Sequence, residues 1–203
     1  ACTGGDTDTA TSTADTADQA SAPSNTDGQY KLTAIVEGFE QPWGILVLPD
    51  DDQNFLISER DGRINRVGLD GTVTPLSGGP EAFVANHGGY FGLVADPDFA
   101  ANRTIYLAYA KGDDDANATA IFKAQLSEDG TELLNGADIY QADLRDTAYH
   151  FGGRLQFMPD GTLVAGLGDG FRYMEDAQST ENTHGTQIGR HTSELQSPVP
   201  ISY

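Results

Sequence analysis

The sequence predicts an all-β fold, and three observations lead there. Glycine is frequent, 24 of 203 residues. Apolar and polar residues alternate over short runs, the period of a half-buried strand. Long apolar helical faces are scarce. Taken in order, Leu32, Ala34 and Val36 alternate with polar neighbours and predict a first strand. Gln41-Pro42-Trp43-Gly44 opens a second run over 45–48, and Pro49-Asp50-Asp51-Asp52 turns the chain. Residues 54–59 (NFLISE) form a third strand, Asp61-Gly62 a hairpin turn, 63–67 a fourth strand, Asp70-Gly71 another turn, and 72–76 a further strand.

This unit recurs. Gly44-Ile45-Leu46-Val47-Leu48-Pro49-Asp50 is echoed by Gly92-Leu93-Val94-Ala95-Asp96-Pro97-Asp98, and again by Arg154-Leu155-Gln156-Phe157-Met158-Pro159-Asp160. Each copy is followed by a second strand, at 55–58, 104–109 and 162–167. The prolines of the Pro-Asp pairs, at 49, 97 and 159, lie 48 and 62 residues apart. A repeat of roughly 40–50 residues containing several short antiparallel strands is the signature of β-propeller blades. The longer second interval has room for an insertion, and the polar loop 112–117 is the segment expected to supply it. The length accommodates about three blades.

The net charge of −20, from 31 acidic and 11 basic residues, argues against nucleic-acid binding, which needs clustered Lys and Arg. It equally disfavours anionic membrane surfaces. No run of about 18 apolar residues is present. The single cysteine, Cys2, excludes an intramolecular disulfide. Ala1-Cys2 followed by Thr3, Gly4 and Gly5 resembles the end of a bacterial lipoprotein signal, which implies lipidation of Cys2 and a periplasmic or cell-surface location; an accidental surface cysteine is the alternative. Residues 1–28 consist largely of Thr, Ala, Ser, Asp and Gly, with five aspartates and no Lys or Arg. Such a tract buries too little apolar surface to offset chain entropy and is expected to be a disordered linker. The incomplete propeller is expected over 30–190 and an atypical tail over 191–203.

The segment richest in chemistry is Tyr149-His150-Phe151-Gly152-Gly153-Arg154-Leu155, continuing through Pro159-Asp160-Gly161 to Gly166-Leu167-Gly168-Asp169. His150 precedes two glycines that permit a tight turn or a close approach to a ligand. A strand, a turn and an antiparallel strand follow, so His150 and Asp169 return to the same edge of one sheet. A carboxylate beside an imidazole orients it and raises its basicity. The alternative is a structural histidine capping a turn. Asp50-Asp51-Asp52 and Asp113-Asp114-Asp115 lack the spacing of a calcium loop and read as solvated turns. No metal site is assigned.

Four motifs in succession resemble the glucose/sorbosone dehydrogenases: Pro42-Trp43-Gly44; Ser58-Glu59-Arg60-Asp61-Gly62-Arg63-Ile64; Gly89-Tyr90-Phe91-Gly92-Leu93 with Asp96-Pro97-Asp98-Phe99; and the His150 block. The likeness covers about residues 32–178. It implies a six-bladed propeller that oxidises the C1 hydroxyl of aldoses with pyrroloquinoline quinone (PQQ) and calcium. By position, His150 matches the general base and Asp169 its supporting acid. His87 stands where the family usually has Gln or Glu, and His87 and Arg154 are the candidates for lining the substrate and cofactor pocket. The three carboxylates of PQQ need cationic partners, most of which, with the calcium ligands, come from later blades. The last dozen residues depart from the family pattern, so the chain as it stands is expected to be a truncated, inactive fragment. A sugar substrate is implied; the electron acceptor is unspecified, and any membrane association runs through the lipid anchor. The competing reading is a non-catalytic propeller that binds a glycan or protein.

Overall fold

The computed structural model describes residues 32–191 and 199–201. The expected linker, Cys2 and most of the expected tail lie outside them. Contacts divide the chain into two units, 1–34 and 35–203. In the first, Leu32, Thr33 and Ala34 are exposed and irregular. The rest concerns the second.

Among the described residues, twelve strands form three antiparallel four-stranded sheets, each a propeller blade. The first blade holds β1 (Pro42–Val47), β2 (Asn54–Glu59), β3 (Arg63–Gly68) and β4 (Val73–Pro75). The second holds β5 (Tyr90–Ala95), β6 (Thr104–Gly112), β7 (Asn117–Leu126) and β8 (Leu133–Gln141). The third holds β9 (Gly152–Phe157), β10 (Thr162–Leu167), β11 (Gln187–His191) and β12 (Val199–Ile201), which pairs with β11. The short helix α1 (Phe99–Asn102) follows β5, and a 3-10 turn spans Met174–Gln178.

The strands that open the blades pack in series, β1 beside β5 and β5 beside β9. Glycine makes this approach possible. A Cβ on Gly44 would lie 2.8 Å from the Phe91 carbonyl oxygen, and one on Gly92 would lie 2.7 Å from that of Gly153. Phe91 fills the space between, its ring 5.5 Å from Trp43 and 5.7 Å from Phe151.

Strand periodicity then distributes the core. On β6, Ile105, Leu107 and Tyr109 enter the cluster shared with the first blade, whereas Tyr106, Ala108 and Ala110 enter the cluster shared with the third. The second blade is therefore buried on both faces, each large side chain stabilising by about 1.5–3 kcal/mol. The first blade covers only one face: Ile45 and Val47 on β1 are 64% and 66% exposed.

Two expectations are corrected. The run Leu32 to Val36 forms no strand; alternation creates a strand only where a sheet edge is available, and among the described residues this segment pairs with none. The polar loop 112–117 is not an insertion but the tight hairpin between β6 and β7, closed by Gly112 pairing with Asn117. The longer second interval comes instead from strands of nine, ten and nine residues.

Candidate active site

The meander fixes which loops meet. First and third strands descend and second and fourth ascend, so the Pro-Asp turns lie at one end of the sheets. Arg60, the 86–89 loop, the 113–116 hairpin, the 142–151 segment and the 168–173 loop lie at the other. Four segments build the site there.

The first carries Asn86, in the left-handed region at φ 47°, and His87, whose backbone N–H donates to the Ala148 carbonyl at 2.9 Å. The second carries His150, also left-handed at φ 46°. Its N–H donates to His87 Nδ1 at 3.3 Å, and the two imidazoles stack with centroids 5.7 Å apart. The third begins at Gly168, where any Cβ would collide with the His150 carbonyl oxygen. Gly168 N–H donates to the Phe151 carbonyl at 3.0 Å, which places Asp169 beside the histidine. Asp169 Oδ1 lies 2.9 Å from His150 Nδ1 and also accepts the Phe171 N–H at 2.8 Å. The fourth is the end of β2, which delivers Arg60.

These contacts assign the protons. His87 Nδ1 accepts a hydrogen bond, so a neutral His87 carries its proton on Nε2. Neutral His150 donates Nδ1–H to Asp169, which leaves Nε2 with a free lone pair. The Phe171 N–H, and then His150, hold the Asp169 carboxyl below its ordinary range against opposing desolvation. Asp169 is thus an anion at neutral pH and fixes the ring as a base. Beneath the loop, Arg145 is buried with its guanidinium 4.5 Å over the Phe151 ring, and it donates to the Gly168 carbonyl at 3.0 Å. Burial pushes its pKa down to about 10, opposed by Asp169 and Tyr173, so it remains a cation at neutral pH.

His150 and His87 line a cleft of about 280 Å³ together with Trp43, Arg60 and Phe151. Arg60 Nε is buried without a hydrogen-bond partner. Such an atom carries a desolvation cost unless something bonds to it. Among the described residues no group of three or more His, Cys, Asp or Glu converges on a point that would hold a metal ion.

The family model described as Glucose / Sorbosone dehydrogenase matches residues 39–194. The chain belongs to that family. It is 35% identical over 142 residues to the aldose sugar dehydrogenase YliI of Escherichia coli, covering 68% of this chain and 38% of that protein. A crystal structure of glucose dehydrogenase superposes with a TM-score of 0.74 at 32% identity, covering 79% of this chain and 47% of that one. The PQQ-bound aldose sugar dehydrogenase of Streptomyces coelicolor superposes at 0.71 with 25% identity, again covering 79% and 47%. The chain thus spans less than half the length of these relatives.

Of the site residues read from the sequence of this family member, the structure gathers His150, Asp169 and His87. Arg154 is exposed on β9 and does not line the cleft. Sequence reasoning missed Arg60, Trp43, Arg145 and Phe171. Arg60 and Trp43 were within reach, since both sit in motifs at strand ends on the His150 side. Phe171 and Arg145 gave no signal, because a left-handed backbone and a buried guanidinium are consequences of packing.

Proposed function

We propose that this chain supplies the catalytic base and one wall of the cofactor site of a PQQ-dependent aldose dehydrogenase. The observation that carries the reading is the 2.9 Å contact between His150 Nδ1 and Asp169 at the wall of a cleft containing a guanidinium. The residues present fit PQQ in part. Arg60, whose guanidinium is a cation at the cleft wall, suits a carboxylate, and Trp43 and Phe151 offer flat apolar walls. The remaining cationic partners and the calcium ligands belong, in this proposal, to blades beyond the three described.

His150 Nε2 accepts the proton of the sugar C1 hydroxyl, and Asp169 stabilises the imidazolium that forms. Bound PQQ supplies the acceptor for the two electrons and the hydrogen lost from C1 as the aldose becomes its lactone. His87 holds the His150 backbone in place through its Nδ1. Arg145 fixes the Gly168 carbonyl and, through it, the position of Asp169.

Trp43 is the only tryptophan of the chain and lines the cleft, so its fluorescence reports on occupancy directly. PQQ is expected to quench it, and Arg60→Ala to weaken the titration by about fivefold or more, the loss of a charge-assisted contact. Emission unchanged by PQQ overturns the assignment of this cleft. Absence of dye-coupled glucose oxidation by full-length protein loaded with PQQ and calcium overturns the dehydrogenase reading.

A further inference from the structure

The product of the proposed oxidation is a lactone, a cyclic ester whose opening needs a base, a nucleophile and donors for an oxyanion. We infer that the cleft holding Arg60, His87 and His150 also hydrolyses sugar lactones, with water as the nucleophile and no bound cofactor. The choice of a sugar lactone as substrate rests on the dehydrogenase reading. The hydrolytic groups do not, because all of them stand on the described blades.

The base is in place. Asp169 Oδ1 accepts His150 Nδ1–H at 2.9 Å, so the Nε2 lone pair is free, and His150 lines the cleft. A neutral donor stands beside it. His87 accepts the His150 N–H at Nδ1, 3.3 Å away, which puts its own proton on Nε2. The two imidazoles stack with centroids 5.7 Å apart and planes 17° apart. Arg60 brings a guanidinium cation to the same wall. The rest of the lining, Trp43, Phe91, Phe151 and Gly152, carries no hydroxyl or thiol. A covalent acyl intermediate therefore has no nucleophile in this cleft, and water takes that role.

The reaction balances without an oxidant. His150 Nε2 takes a proton from water as the water oxygen bonds to the lactone carbonyl carbon. The carbonyl electron pair moves to its oxygen, and His87 Nε2–H and Arg60 stabilise the oxyanion. Collapse re-forms the carbonyl and breaks the bond to the ring oxygen, which leaves with the proton from His150. Asp169 stabilises the imidazolium between the two proton transfers. Lactone and water become one aldonic acid, and His150 is neutral again. The volume of about 280 Å³ stands near the lower limit of small-ligand sites, which suits a single sugar ring.

The test uses the purified chain without PQQ or calcium, and follows acid release from glucono-δ-lactone in weak buffer near neutral pH. Hydrolysis is expected to exceed the buffer rate by about a hundredfold or more. His150→Ala is expected to return it to the buffer rate, and Arg60→Ala to lower kcat about tenfold. Asp169→Asn, which preserves the size of the side chain, is expected to lower kcat by about tenfold or more. Arg154→Ala removes a cation outside the cleft and is expected to leave the rate unchanged. A chain no faster than buffer, a rate that His150→Ala leaves intact, or equal losses in Arg60→Ala and Arg154→Ala overturn the inference. Lactone hydrolysis by the chain, without sugar oxidation by full-length protein loaded with PQQ and calcium, supports the lactonase and removes the dehydrogenase reading. Sugar oxidation without lactone hydrolysis removes the lactonase alone.

Discussion

At the end of the sheets where the Pro-Asp turns lie, carboxylates tie turns and neighbouring side chains together, whereas at the end where His150 lies one of them, Asp169, holds an imidazole that lines a cleft. At the first end, Asp51 accepts from Gln53 N–H, the Asn54 amide and Arg66. Asp50 pairs with Arg103 at 3.0 Å. Asp96 accepts from Asp98 N–H, the Asn102 amide and the Tyr106 hydroxyl. At the second end, four of the six described non-glycine residues with positive φ are found, Gln41, Asn86, His150 and Phe171. Half-exposed aromatics lie there as well. The first end joins two blades through Asp50 and Arg103, and the second carries most of the described left-handed backbone outside glycine.

The largest expected effect breaks this contrast in function alone. His150→Ala is expected to lower dye-coupled turnover of the full-length protein loaded with PQQ and calcium by roughly 10²–10⁴-fold, with the denaturation midpoint nearly unchanged. Retained turnover would mean that the strained end holds no base. Next, Gly168→Ala puts a methyl group against the His150 carbonyl and is expected to cost roughly 2–3 kcal/mol in urea unfolding. Asp96→Ala, at the opposite end, is expected to cost about 1–3 kcal/mol through its orphaned donors, leaving PQQ quenching of Trp43 intact. A change in quenching would show that the two ends are coupled.

Phe171→Gly sharpens the comparison, because the sign reverses. Relief of the left-handed backbone is expected to stabilise the fold by up to about 1 kcal/mol. Destabilisation would show that Phe171 is held for packing. The smallest effect is in pH. Asp169 titrates below its ordinary value in the folded protein, so it contributes stability above the unfolded value near 3.8 that is lost as the pH falls through the lower folded value. Asp169→Asn is expected to flatten that acid limb of the unfolding curve and leave the neutral region unchanged.

How far the sequence could be read follows from the range of each interaction. Turns and strand periods are local, so 54–59 was placed to the residue and the three Pro-Asp repeats marked the three blades. The meander then implied that His150 and Asp169 share an edge, since two antiparallel strands and a turn return the chain to its start. The run Leu32 to Val36 failed for the converse reason: alternation supplies a face but no ladder partner.

The sequence by itself therefore determined the all-β class, the repeat, the family motifs and the His150–Asp169 edge, all carried by neighbours along the chain or one hairpin away. Only the tertiary structure decided that His87 hydrogen-bonds the His150 backbone across 63 residues, that Arg60 joins their cleft while Arg154 does not, and that Phe171 stands exposed beside the base. Those outcomes depend on how separate sheets pack, and on backbone conformations that residue type alone leaves open.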